Sequence, residues 1–279
     1  MRYDLHCHSY YSDGAHTPEF LLQRAINNGL SHLAITDHDC IDACQELAGH
    51  TATGAIELIT GVEISSQLER QEIHVIGLGI DLRNESLAAL LALQQRKRKS
   101  RISSFDALLT RQGITGLQEH MEKLPTRAPG RTQVADFLVL KGLCRDHRGA
   151  FQRYLGRQGK CYVAADWCAM AQAIEVIKAA GGIPVLAHPH RYATSTSGLR
   201  RLLSRFQQLG GEGMEVACGN LDKPMLEKLG RLGEETGLYA STGSDFHSSK
   251  AVWTDIGKVP ELPDSVKKNA IWTHPRWHS

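Results

Sequence analysis

Two histidines one residue apart, His6 and His8, open the chain, and Asp13 follows in a polar stretch ending at Gly14. Alternate side chains of an extended strand share a face. His6 and His8 therefore point together, while Leu5 and Cys7 point the other way. Two imidazoles and a nearby carboxylate are a nucleus for a divalent-metal site. Alone, the pair reads equally well as two half-buried structural histidines, so the rest of the chain has to decide. Leu33-Ala34-Ile35-Thr36 runs into Asp37-His38-Asp39, and Glu63 interrupts the apolar Gly61–Ser65. His74 lies within Glu72–Gly77, Ile183–Ala187 delivers His188-Pro189-His190, and Leu238–Ser241 leads to Asp245-Phe246-His247. A lone buried histidine is usually structural. Six of them with carboxylates, each in or just after an apolar strand, point to one shared metal site. Imidazole and carboxylate donors without thiolate suit Mn, Fe or Zn better than Mg or Ca.

The elements that must position these residues alternate. Thr17-Pro18-Glu19 suits a helix N-terminus, with Asn27-Asn28-Gly29 as its stop. A second helix over about Ala173–Ala180 precedes the strand ending at Ala187, and Met214-Glu215-Val216 is a further short strand. Apolar strands alternating with helices predict parallel βα units closed as a barrel, with the chemistry at the strands' carboxyl ends. The rhythm stops between Leu87 and about Cys168. A long amphipathic helix over Leu87–Gln112 and short helices over Val134–Gly142 and Ala150–Leu155 predict a helical insertion packed over the barrel mouth. The expected organisation is a barrel body over 1–93 and 171–279, split by an inserted basic helical domain over 94–170.

Of the 279 residues 42% are hydrophobic and 22% charged, as in a soluble globular protein. No apolar run approaches the ~20 residues of a membrane span. The N-terminus enters a strand directly, without the apolar core of a secretory leader. Seven cysteines with no C-x-x-C pair favour free thiols in a reducing cytoplasm. The net charge of +2 hides an asymmetry, because Gln94 to Lys160 holds 15 Lys/Arg against 5 Asp/Glu. A basic middle in an acidic frame suggests a phosphate-rich partner, although Arg96-Lys97-Arg98-Lys99 also reads as a solvated helix face. The Trp and Tyr residues are not interleaved with basic ones as in a base-stacking platform.

Five ordered motifs resemble those of the PHP (polymerase and histidinol phosphatase) family. They are Asp4-Leu5-His6-Cys7-His8-Ser9, Thr36-Asp37-His38-Asp39, Gly61-Val62-Glu63-Ile64-Ser65, Ala187-His188-Pro189 and Ser244-Asp245-Phe246-His247. Within the insertion, Gly130-Arg131, Val134–Val139, Tyr154-Leu155 and Cys161-Tyr162-Val163 resemble the branch of 5′→3′ exoribonucleases and 3′,5′-nucleotide bisphosphate phosphatases. Gln133 departs from that branch, where a histidine is expected, which puts a substrate contact there in doubt.

The resemblance implies an α/β fold, a distorted seven-stranded (β/α) barrel with a small inserted helical domain, and three divalent ions, most simply Mn2+. The implied ligands are His6, His8, Glu63 and Asp245 for the first ion. Glu63 bridges to a second with His74 and His188, and Asp13, His38 and His247 take the third. Three carboxylates against about six positive charges leave a surplus that hydroxide and phosphate oxygens relieve. Asp37, Arg131 and His188 are expected to act in the reaction, Asp37 by orienting a ligand or accepting a proton. Arg131 and Arg191 would clamp a second phosphate, against the plainer reading of an exposed arginine, which weighs more on Arg191, and His190 would touch substrate or, more simply, sit behind the ligands or exposed.

The implied activity is 5′→3′ exoribonuclease action on 5′-phosphorylated RNA, with hydrolysis of the 3′-phosphate of 3′,5′-bisphosphonucleotides, by attack of a metal-activated hydroxide. Neither a membrane nor an obligate protein partner is expected. A small-molecule phosphatase is the alternative, and it would need no basic insertion. A metal-stabilised binding module without turnover is a third reading, disfavoured by the presence of all nine ligand types.

Overall fold

The computed structural model describes residues 1–48, 56–192 and 195–277. Among them, β1 (Tyr3–Asp4), β2 (His32–Leu33) and β3 (Glu57–Leu58) form a small parallel sheet. A larger mixed sheet contains β4 (Gly61–Leu68), β5 (Gln71–Leu78), β6 (Cys168–Ala169), β7 (Ile183–Leu186), β8 (Gly213–Cys218) and β9 (Tyr239–Gly243). Its strand order is β6-β4-β5-β7-β8-β9. Backbone bonds knit the two sheets together at both margins. Leu5 N donates to Thr242 O (3.0 Å) and His8 N to Phe246 O (2.9 Å), while Asp39 N donates to Glu63 O (2.9 Å) and Glu63 N to Asp37 O (3.1 Å). The first six residues of β4 are buried, as expected of a strand covered on both faces.

The parallel expectation fails at β5, which runs antiparallel to both β4 and β7. Only Glu69 and Arg70 separate β4 from β5, too few for a crossover and enough for a hairpin. Glu69 takes φ +57° in that turn. His74 therefore lies within a strand running the other way, and not at a carboxyl end.

The helices are α1 (Pro18–Asn27), α2 (Asp42–Leu47), α3 (Glu85–Thr110), α4 (Leu117–Met121) and α5 (Arg131–Leu140), then α6 (His147–Ala150), α7 (Met170–Ala179), α8 (Thr196–Gln208), α9 (Lys223–Thr236) and α10 (Asp264–Lys267). Thr17 caps α1 through its side chain, with Pro18 in the first turn, as the sequence predicts. The stretch expected to be helical at Ala150–Leu155 is the end of α6 followed by a π-helical turn, Phe151–Leu155.

Helix α3 spans 26 residues, about 39 Å at ~1.5 Å per residue, and it belongs to two cores. Leu87, Leu90 and Leu91 pack with Ile64, Val75 and Ile174 of the sheet layer. Ile102, Phe105 and Leu109 pack with Val134, Phe137 and Leu155 in a separate cluster drawn entirely from residues 102–161. Between the two apolar stretches the same buried face carries Gln94 and Arg98. Among the described residues no helix is long and apolar enough to cross a membrane.

Candidate metal centre

All nine expected ligands converge on one site. The residues after β1 present His6 and His8, both fully buried, to one side. Leu5 and Cys7 enter apolar clusters, as strand alternation requires. The chain then folds back sharply, with Ser12 and Gly14 donating their amides to Ser9 O. A Cβ on Gly14 would lie 2.1 Å from the His8 carbonyl oxygen, so only glycine allows the turn that returns Asp13 to the histidines. On the far side, a Cβ on Gly243 would lie 2.3 Å from His6 Cβ, which keeps β9 close enough to deliver Asp245.

Glu63 is the hub. Its Oε2 lies 3.4 Å from both His6 Nε2 and His8 Nε2 and 2.9 Å from His38 Nδ1. Its Oε1 lies 3.0 Å from His74 Nδ1 and 3.1 Å from His188 Nε2. Asp245 Oδ1 faces His8 Nε2 at 3.3 Å and His6 Nε2 at 3.5 Å. Asp13 Oδ1 lies 3.2 Å from His247 Nε2, 3.7 Å from His8 Nδ1 and 3.8 Å from His38 Nε2. His38 thus stands between two groupings, with Nδ1 turned to Glu63 and Nε2 to Asp13. Asp245 and His188 hold positive φ, +52° and +29°, backbone conformations that persist only where surrounding contacts impose them.

The donor set fits divalent cations. Glu63 Oε2, Asp13 Oδ1 and His38 Nδ1 are buried, and the short contacts they make with one another and with His247 are not aligned as hydrogen bonds, which is costly unless a cation takes up their lone pairs. Burial alone would push the Glu63 carboxyl up, but His38, His6 and His74 hold it well below the carboxylate range. His8 is pushed down to about 3 by burial and by His247, which keeps it neutral and available as a donor. Burial would lower His247 too, yet Asp13 and Asp245 raise it to about 10, a measure of how strongly the cluster attracts positive charge.

The site opens into a cavity of about 440 Å³. Besides the ligands it is lined by Arg131, Arg101, Arg157, Phe151 and Trp167, all from the helical segment or just after it. Arg131 pairs with Glu72 at 3.3 Å and lies 5.6 Å from the Phe151 ring centroid. Arg101 lies 5.4 Å from Trp167. Rings and cations that are scattered in the sequence are therefore adjacent in space. Arg191 also lines the cavity and pairs with Asp245 Oδ2 at 2.6 Å.

Two expected residues lie elsewhere. Asp37 is buried behind His8, accepting from Ser9 N (2.7 Å), Ser9 Oγ (2.5 Å) and Ser12 Oγ (2.6 Å). Ser12 Oγ in turn stands 3.4 Å from His8 Nδ1, so the geometry gives Asp37 an orienting place. Burial raises its carboxyl to about 6 against those hydrogen bonds. His190 is not in the cavity wall, and burial with Arg191 beside it lowers the imidazole to about 4. Gln133 donates to the Ser12 carbonyl (2.7 Å) and accepts from Gly130 N (2.8 Å), fastening α5 to the metal loop without reaching the cavity.

The sequence reading passed over Glu215. Its Oε1 lies 2.9 Å from His6 Nδ1 and its Oε2 accepts from His188 N at 2.6 Å. The available signal was the one that exposed Glu63, a carboxylate inside an apolar strand. Arg98, within the run that also reads as a solvated helix face, is buried against Asp39.

The sequence model of the PHP domain matches residues 4–181. The chain belongs to the PHP domain family. Among relatives of this PHP chain, a 5′-3′ exoribonuclease of Haemophilus influenzae is 39% identical over 265 residues, 95% of the chain and 96% of the relative. A 3′,5′-nucleoside bisphosphate phosphatase of Chromobacterium violaceum is 37% identical, over 96% of the chain and 94% of the relative. A solved structure from Chromobacterium violaceum, described as an amidohydrolase with bound sulfate, superposes with a TM-score of 0.89 at 36% identity. It covers 98% of the PHP chain and 95% of its own.

Proposed function

We propose that this PHP protein is a metal-dependent phosphoesterase that removes nucleotides from the 5′ end of 5′-phosphorylated RNA and hydrolyses the 3′-phosphate of 3′,5′-bisphosphonucleotides. The observation that carries the reading is a single cavity lined both by the carboxylate–imidazole cluster and by Arg131, Arg101 and Arg157. The kinship with an exoribonuclease and a bisphosphate phosphatase over nearly the whole chain supports it.

The same reading draws a distorted seven-stranded barrel from among the nine described strands of the two sheets, supported by the backbone bonds that join the sheets at both margins. It takes 94–170 as an inserted unit between body segments 1–93 and 171–279, supported by the separate apolar cluster of 102–161. The ligands divide as His6, His8, Glu63 and Asp245, then Glu63 with His74 and His188, then Asp13, His38 and His247. Three Mn2+ ions and a cytoplasmic setting complete it. When bound, the ions would supply Lewis acidity toward phosphate oxygens and a nucleophile at neutral pH.

The chain's own residues orient and select. Glu215 holds the proton of His6 on Nδ1, which leaves the Nε2 lone pair facing the cluster. Asp37 keeps Ser12 beside His8, and Arg191 steadies Asp245. His188 offers Nε2 beside Glu63 and directs the cluster toward the reacting phosphate. Arg131, with Arg191, receives the terminal 5′-phosphate, and the phosphodiester on the 3′ side of that nucleotide lies against the cluster. Hydrolysis there releases a 5′-mononucleotide and leaves a new 5′-phosphate. A 3′,5′-bisphosphonucleotide fits the same two anion positions. The test is to incubate manganese-loaded protein with 5′-phosphorylated RNA and with a 3′,5′-bisphosphonucleotide and follow the products of both. Turnover of the bisphosphonucleotide alone, with RNA binding insensitive to salt, would reduce the activity to that of a small-molecule phosphatase.

A further inference from the structure

Arg98 occupies the stretch of α3 where the sheet core ends and the insertion core begins, and it is only 5% exposed. Its Nε donates to Asp39 Oδ2 at 2.8 Å, and one terminal nitrogen, Nη2, lies 2.7 Å from the same oxygen and donates to Ser65 Oγ at 2.8 Å. The other, Nη1, points at the carbonyls of Ala128 (3.4 Å) and Pro129 (3.5 Å). The Trp167 ring lies against the guanidinium, 4.8 Å from centroid to carbon. Every nitrogen of the side chain is taken up by protein, so although Arg98 borders the cavity its donors are not free for substrate.

Each partner leads to the site. Asp39 follows His38 and sits at φ +48°. Its other carboxylate oxygen accepts from Ser65 N (2.9 Å), and its own amide donates to Glu63 O. Asp39 and Ser65 thus frame the two backbones that set His38 Nδ1 opposite Glu63 Oε2. On the other edge, Pro129 precedes Gly130, the N-cap of α5, whose first residue is Arg131. A Cβ on Gly130 would lie 3.3 Å from Arg98 Nη1, so the glycine leaves room for this contact.

We propose that Arg98 is a positioning residue that sets the metal-binding pair His38–Glu63 and the phosphate-binding Arg131 in one register. A planar guanidinium with donors along several edges can hold a carboxylate, a hydroxyl and two carbonyls at once, whereas a lysine ammonium on the same stem cannot. The half of the proposal that concerns Arg131 rests on the functional reading above. The half that concerns His38 and Glu63 rests on the donor geometry alone.

The test uses the full chain with Arg98→Lys, which keeps the charge and loses the fork. Three quantities are read: the midpoint of manganese binding by equilibrium dialysis and elemental analysis, the melting temperature, and kcat and KM on matched 5′-phosphorylated and 5′-hydroxyl dinucleotides. The expected result is a folded protein whose manganese midpoint weakens about 10- to 100-fold, the range for partners that orient metal ligands. Its preference for the 5′-phosphate should fall at least about tenfold through KM. A lowered melting temperature with midpoint and preference unchanged overturns the proposal. Ser65→Ala removes one acceptor without stranding a buried charge, and it carries the test if the lysine variant does not fold. It should move the manganese midpoint in the same direction by about threefold or more, and an unmoved midpoint overturns the proposal. If the wild type shows no preference between the two dinucleotides, the functional reading fails, and the manganese midpoint still decides the role of Arg98 toward His38 and Glu63.

Discussion

Glu215 grips His6 from behind, its Oε1 2.9 Å from His6 Nδ1 on the side away from the cluster. A ring nitrogen bonded to that carboxylate carries the proton, and the opposite nitrogen keeps its lone pair for a cation. Glu215→Ala should therefore weaken manganese binding by about 10- to 100-fold, with Glu215→Gln milder because an amide oxygen still accepts from Nδ1. Competition against a calibrated chelator measures this. Unchanged affinity in Glu215→Ala would remove Glu215 from the site's support.

Metal content is the second expectation. Nine ligands at about three to four per ion imply about three manganese ions per chain, and a single ion with full activity would sink the trinuclear assignment. Asp245→Asn or His8→Ala should remove metal and activity together. Cys7→Ser should keep both, because Cys7 is packed beside Phe246 with its thiol toward Ala34 O (3.4 Å). Loss of metal in Cys7→Ser would mean that the alternation of side chains after β1 has been read the wrong way round.

Polarity along RNA is the third. The cluster can hold one phosphate and cannot by itself distinguish the two ends of a strand. On the proposed reading Arg131, which pairs with Glu72, supplies a second anion position. Arg131→Ala should cost about 2–4 kcal/mol in kcat/KM on 5′-phosphorylated substrates, the scale for losing a desolvated charged partner. The cost on 5′-hydroxyl substrates should be much smaller. Equal losses on both would refute the assignment.

The fourth expectation concerns pH and the closing segment of the chain. Glu212 lies 2.8 Å from His274 Nε2 and 3.2 Å from Lys178 Nζ, and it pairs with Arg276. Partial burial would raise its carboxyl, but Arg276 and Lys178 outweigh that and hold it below the ordinary value. A carboxyl lowered in the folded state contributes stability that is fully present above its unfolded pKa and is lost as pH falls through the folded one. Glu212→Gln should cost about 1 kcal/mol at pH 7, discounted for partial exposure, and the gap from wild type should close as pH falls below the ordinary carboxylate range. Urea unfolding at several pH values measures it, and a gap that stays constant into acid rules the linkage out.

The ligands were legible in the sequence because each breaks a local rule, as a histidine or carboxylate in or just past an apolar strand. His6 and His8 could be assigned to one face because strand alternation is strict. The direction of β5 was partly legible, since the six residues between Gly61–Ser65 and Glu72–Gly77 are too few for a crossover, but an alternating pattern elsewhere favoured parallel units. Arg98 was hidden by its company. Arg96 and Lys99 beside it are exposed, and only the helical period from Leu90 and Leu91 through Gln94 to Arg98 marks it as inward-facing. Glu215 and the cavity's ring–cation contacts depend on which chain segments meet, which no local pattern encodes.

The two-residue turn between β4 and β5 also bears on the order of assembly. Glu63 and His74 lie on adjacent strands of one hairpin, a unit that closes within about microseconds. His6 and Asp245 meet only through the pairing of the first residues with β9, a contact between opposite ends of the sequence and a slow one to close. A ribosome-bound chain would carry this hairpin well before His188, Asp245 and His247 exist. Tight retention of manganese would then begin only when the last strand docks, so metal uptake marks the end of folding.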